Sequence, residues 1–181
     1  INHVPAKKNV VVVGISDLKV SNHVEDVLVT YSLGSCVGVT VYDPFQKVGG
    51  LIHCKLPAFS ETHLNRQMSP ACFVDIGIPL LIERVIALGA AKARLQVNLI
   101  GGGDMYDDKG IFAIGKKNIQ MARHVLHTLR LAIQSEEVGG FKPRTVSLHI
   151  ADGKTFIKSG NVMNEVKKRQ IPIFGFVSEE E

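Results

Sequence analysis

At 181 residues the chain suits one domain with a sizeable core, and 45% hydrophobic against 21% charged residues is the balance of a globular protein, with no apolar run of bilayer length. Its net charge of +4 sits in short groups such as Lys7-Lys8, Lys116-Lys117 and Lys167-Lys168-Arg169; with 6% aromatics, it lacks the basic stripe and stacking platforms of a nucleic-acid binder. Three widely spaced cysteines, Cys36, Cys54 and Cys72, cannot all pair and form no CxxC, so they read as free thiols in a reducing cytoplasm.

The N-terminal stretch "INHVPAKKNVVVVG" has charge but no apolar segment of the length a secretion signal needs. Val10 to Val13 is a continuous β-branched run ended by Gly14 and predicts a buried strand. A second strand is expected around Val24 to Tyr31. Val37 to Tyr42 alternates Val37, Val39 and Val41 with Gly38, Thr40 and Tyr42, and "GGLIHCKLP" continues after a turn as its partner, closed by Pro57. The polar stretch Ser60 to Pro70 reads as a loop, with Ser69-Pro70 as a helix start.

Ala71 to Leu88 carries apolar positions at helical spacing and stops at Gly89. Leu95 to Ile100 predicts a strand running into "GGGDM". A second amphipathic helix is expected from about Ile114 to Ala132, its apolar face formed by Ile119, Val125, Leu126, Leu129 and Ile133. "RTVSLHIADGKTFIKSG" holds two alternating runs around Asp152-Gly153, a hairpin signal. The element count points to an α/β domain in which two long helices cover a mixed, largely antiparallel sheet.

Within that frame "LGSCVGV" places Cys36 behind a glycine-serine turn and ahead of a strand. Asp43-Pro44 begins the following turn as a type I turn prefers. If Asp43 and Gln46 close it, the register sets Cys36 directly across from His53, with Cβ atoms roughly 4.5 to 5.5 Å apart, near enough to share a proton. A bulge at Gly49-Gly50 would shift that register by one. His53 and Cys54 face opposite ways, so Cys54 belongs to the core with Ile52 and Leu56. Two readings of Cys36 stand: a buried apolar thiol, or a nucleophile whose pKa is lowered by His53 and whose loop amides, at Gly34 and Ser35, stabilise an oxyanion.

The motifs "LGSCVGVTVYDP", "GGLIHCKLP", "GGGDM" and "IGKKN", in this order and spacing from Val10 to Lys158, resemble those of the CheD family of chemoreceptor glutamine deamidases. The resemblance implies a single-domain three-layer α/β/α sandwich over 1–181, with its core at about 10–158 and a C-terminal extension at 161–181. It also implies an active site of Cys36, His53 and Thr30, since the family's threonine lies six residues before the cysteine and its histidine seventeen after. By the same resemblance Thr30 orients the imidazole. The implied substrates are glutamine side chains on cytoplasmic helices of chemoreceptors, some members also hydrolyse receptor methyl esters, and a CheC-type phosphatase is a partner on the active-site face.

That chemistry needs no metal or organic cofactor. His124 and His127, three apart on one helix, read as exposed polar residues, and "GGGDM" lacks the spacing of a phosphate-binding loop; Gly101, Gly102 and Gly103 read as a crowded turn beside the site. Substrate recognition is expected from the polar loops at Ser60 to Met68 and Gly101 to Asp108. The chain departs from the family after Gly139-Gly140, where Phe141, Lys142 and Pro143 follow, and at Lys55, where an apolar residue is common. The alternatives are a binding module that regulates a CheC-type phosphatase, and a general cysteine hydrolase such as a peptidase, for which no orienting asparagine is evident.

Overall fold

Strand β4 (Val37–Asp43) is buried along its whole length in the computed structural model, which describes residues 7–64, 66–104 and 113–167. Its alternation feeds two cores. Val37, Val39 and Val41 pack with the helices on one side, and Tyr42 joins a second apolar cluster on the other. The strand is central to a five-stranded sheet in the order β2 (Asp17–Ser21), β5 (Val48–Cys54), β4, β6 (Gln96–Gly101), β7 (Ile133–Val138). A second sheet runs β1 (Asn9–Val12), β3 (Asp26–Leu33), β8 (Arg144–His149), β9 (Thr155–Ser159), β10 (Val162–Glu165). Each sheet has one parallel pair, β6–β7 or β1–β3, and is otherwise antiparallel.

The α/β class, the mixed and largely antiparallel pairing and the two long helices match expectation. Helices α1 (Val74–Ala87) and α2 (Ile114–Thr128) lie side by side on the first sheet, through Ile78, Leu81, Val85, Ala122 and Leu126. The opposite face of that sheet is covered by the second sheet, through Leu28, Leu33, Leu51, Leu148 and Ile150, so the three layers run helices, sheet, sheet, with two stacked sheets where the resemblance implies one sheet between helix layers. Each fully buried leucine or isoleucine in these two seams is worth about 1.5–3 kcal/mol.

Ser69 opens a short 3-10 turn at Pro70–Cys72, where its Oγ accepts from the Ala71 amide at 3.2 Å, and the α-helix follows at Val74. It ends before Gly89 at φ +105, a backbone conformation that suits glycine. Helix α2 stops at Thr128, so Ile133, expected on its apolar face, instead opens β7.

The β-branched run at the N-terminus forms a sheet-edge strand with Val10 and Val12 exposed, which corrects the expectation of a buried strand. The β4–β5 turn needs a second correction. Asp43 pairs with Val48 instead of Gln46: its carboxylate takes the Phe45 and Gln46 amides at 2.9 and 3.3 Å, and Lys47 at φ +51 completes a longer loop. Gly49 and Gly50 stay in regular register, and a Cβ on Gly50 would meet Leu81, Val20 and Val85 within 2.7 to 3.0 Å, so glycine here admits α1. His53 therefore faces Gly38, and the ladder ends at Val37 and Cys54, one residue short of Cys36. A two-residue change of register preserves which side chains share a face.

Candidate active site

His53 is 1% exposed and projects from β5 into the seam between the sheets, where its Nδ1 lies 2.7 Å from Oγ1 of Thr30 on β3. Thr30 is the last regularly paired residue before a bulge in β3, where Ser32 adopts φ +55. Its hydroxyl also donates to the Val13 carbonyl at 2.7 Å. A hydroxyl has one proton and a carbonyl has none, so with that proton on Val13 the imidazole must donate from Nδ1. The network thus assigns a neutral tautomer whose Nε2 carries a lone pair, and Nε2, though buried, has no hydrogen-bond partner among the described residues.

Cys36 stands on the loop between β3 and β4, half-buried against the same inter-sheet cluster. Each carbonyl of that loop is held: Gly34 by the Gly103 amide at 2.8 Å, Cys36 by the Gly102 amide at 2.7 Å, and Ser35 by Nδ2 of Asn118 at 2.9 Å. Because a trans peptide sets C=O and the next N–H in opposite directions, the amides of Ser35 and Val37 point away from the glycine turn and that of Cys36 points away from Asn118 on helix α2. Cys36 is not the residue across from His53. It lies one residue beyond the end of the ladder, packed against the inter-sheet cluster, and no thiol–imidazole hydrogen bond is formed in this structure.

Gly101, Gly102 and Gly103 form the crowded turn expected of them. A Cβ on Gly101, at φ +101, would lie 2.5 Å from the Cys36 carbonyl, and one on Gly102, at φ +65, would enter the Ile119 side chain. The loop at Gly139-Gly140 abuts the same turn through Gly139 N–H to Gly101 O and Asp104 N–H to Gly140 O, each 2.9 Å, and carries Phe141 outward at 81% exposure. Residues 105–108 of the expected recognition loop lie outside the described residues. The other expected segment, Ser60 to Met68, includes a short 3-10 turn, Glu61–His63.

Burial without a charged partner holds the His53 pKa down to about 4, so the imidazole is neutral at physiological pH. Burial likewise pushes the Cys36 thiol up, an effect only partly offset by the charge of Lys55. The expected lowering of the thiol by His53 is absent, and Lys55 supplies the favourable field instead. The resting pair is a thiol and a neutral imidazole rather than an ion pair. Cys54 is fully buried on the helix side with Ile52, and Cys72 is buried as well. Among the described residues no group of three or more His, Cys, Asp or Glu side chains is placed to hold a metal, and His124 and His127 are exposed.

Asn118 ends the motif "IGKKN", but the sequence assigned it no role of its own. The signal available was a lone amide on the apolar face of α2, between Gly115 and Ile119.

A family model described as CheD, chemotactic sensory transduction, matches residues 55–159. Proteins described as probable chemoreceptor glutamine deamidases are similar over most of their length. The one from Syntrophus aciditrophicus is 47% identical over 149 residues, covering 82% of this chain and 93% of its own. That from Pyrococcus horikoshii is 40% identical over 159 residues, covering 85% of this chain and 96% of its own. That from Solibacter usitatus is 37% identical over 164 residues and covers 91% of this chain and 95% of its own, a span that must include Thr30, Cys36 and His53 even though the family model begins at Lys55. A solved structure, the Neisseria meningitidis protein NMB0706, superposes with a TM-score of 0.39 at 11% identity over 74% of this chain and 63% of its own, too slight a likeness to bear on the site.

Proposed function

This chain belongs to the CheD family, and from that premise we propose that it deamidates glutamine side chains of chemoreceptors to glutamate. The observation that carries the reading is the buried, unpartnered Nε2 of His53, held in its basic tautomer by Thr30 and turned into the seam that Cys36 borders. The reaction takes two halves. Nε2 accepts the thiol proton as Sγ of Cys36 bonds to the carboxamide carbon, and the tetrahedral oxygen finds the amides of Ser35 and Cys36. Collapse expels nitrogen, which takes the proton from the imidazolium and leaves as ammonia, with a thioester remaining. Water then gives a proton to Nε2 and its oxygen to the carbonyl carbon; the imidazolium returns that proton to sulfur, and glutamate departs.

A neutral thiol suits this order, because proton transfer accompanies attack instead of preceding it. The same steps with methanol as leaving group would hydrolyse a glutamate methyl ester. A CheC-type partner is the second reading, supported by Phe141, which stands exposed beside the glycine turn. Mass spectrometry of chemoreceptor fragments incubated with wild type and with Cys36→Ala tests the first reading: conversion of specific glutamines by wild type alone is expected, and equal conversion by the variant removes Cys36 from the mechanism. Titrating a CheC-type protein into Cys36→Ala tests the second, since binding that survives loss of the thiol separates recognition from catalysis, and failure to bind eliminates it.

A further inference from the structure

We infer that Asn118 is a positioning residue that aims the Cys36 backbone N–H, an inference that rests on the thioester reading above. Asn118 is fully buried on α2, and its Nδ2 donates to two carbonyls, Ser35 at 2.9 Å and Lys55 at 3.1 Å. Both acceptors are carbonyl oxygens, so only the NH2 end of the side chain can face them.

The place where it does this is the end of the β4–β5 ladder. The last pair is Val37 with Cys54, and one further step would pair Cys36 with Lys55. There the amide of Asn118 enters between the two chains and replaces a strand-to-strand link. The Ser35 carbonyl is thereby drawn toward the helix layer, and the rigid peptide plane sends the Cys36 N–H the opposite way, into the inter-sheet face where Cys36 packs and His53 is buried. A single side chain also ties the loop of the nucleophile to the strand of the base, at residues one before Cys36 and two after His53.

Packing does not explain an asparagine here. Its Oδ1 is buried with no partner among the described residues, a cost that an aliphatic side chain of equal size would avoid. What the position retains is the donor pair.

The test compares two reactions of Cys36 in the full chain. Acylation by p-nitrophenyl acetate builds a tetrahedral oxyanion and uses the aimed N–H; alkylation by iodoacetamide forms no oxyanion and does not. In Asn118→Asp, which removes both donors at constant size, acylation is expected to fall about 10²-fold, the scale of losing one oxyanion donor, while alkylation of the Cys36 peptide stays within about threefold. Asn118→Leu, which removes both donors without burying a charge, covers the case in which the carboxylate unfolds the chain, and its acylation should fall as far. An acylation-to-alkylation ratio equal to wild type in the folded variants, whether both rates hold or fall together, overturns the inference. Ammonia release by wild type against Cys36→Ala is measured alongside, so that loss of the deamidase reading is told apart from loss of the role of Asn118.

Discussion

Oγ1 of Thr30 and Nδ1 of His53 meet at 2.7 Å across the boundary between two sheets, one residue from each. This bond, passed on to the Val13 carbonyl, fixes which imidazole nitrogen is basic. Thr30→Val keeps the shape and removes the acceptor, leaving Nδ1–H without its partner and freeing the other tautomer. Deamidation by this variant is expected to fall roughly 10²-fold in kcat, the lower end of what positioned proton transfer contributes, while Thr30→Ser retains most of the rate. Steady-state kinetics of the pair checks this; a fully active valine variant would leave Thr30 with only a packing role.

Cys36 should titrate above an ordinary thiol, because burial opposes its thiolate and the Lys55 charge only partly compensates. Replacing Lys55 by Met removes the compensation and should move the alkylation profile to still higher pH. Iodoacetamide rates against pH for the two proteins decide it. A profile for Lys55→Met at or below that of wild type would show that this lysine does not act on the thiol.

Stability should decline between pH 6.5 and about 4 through His53. Its folded pKa is held down to about 4 by burial against an ordinary 6.5, so below 6.5 the unfolded chain takes up a proton that the folded chain refuses. The contribution, about 3 kcal/mol, is complete above pH 6.5 and lost as pH falls to 4. His149, also lowered by burial, adds in the same direction. Urea unfolding of His53→Gln should show a shallower decline over this window, and parallel curves would contradict the assignment. The same titration sets the acid limb of kcat/KM for wild type near pH 4.

Gly115→Ala should disturb the site from behind. A Cβ there would lie 2.5 and 2.7 Å from the Gly102 and Gly103 carbonyls, which are backbone and cannot swing aside. Overpacking of this kind costs about 1–3 kcal/mol, and here it would be relieved by displacing the turn that holds the Gly34 and Cys36 carbonyls. A melting temperature lowered by several degrees together with reduced acylation of Cys36 is expected; wild-type behaviour in both would show that the turn and α2 can separate freely.

Alternation in Val37 to Tyr42, helical spacing in Ala71 to Leu88 and the Asp-Gly turn near 152 made β4, α1 and the β8–β9 hairpin legible, since each depends on local period and turn chemistry. Strands β2, β7 and β10 were not legible. "DLKVS", "IQSEEV" and "VMNE" are short and polar, and they are strands because a neighbouring edge offers them hydrogen bonds. The β4–β5 register failed by two residues because a loop closed by Lys47 at positive φ looks, in sequence, like the shorter turn that Asp43-Pro44 also begins.

By itself the sequence determined the α/β class, and its motifs in order led to Thr30, Cys36 and His53, because residue type and spacing along the chain are local quantities. Only the tertiary structure decided that the imidazole is gripped from a different sheet, that Cys36 lies one residue beyond the end of the ladder and not opposite His53, and that a helix amide clamps the Cys36 loop. Those relationships join positions far apart in the chain, as with Ser35 and Asn118. They exist once packing has placed two sheets and a helix against one another, since no local periodicity encodes which distant carbonyl a buried amide will meet.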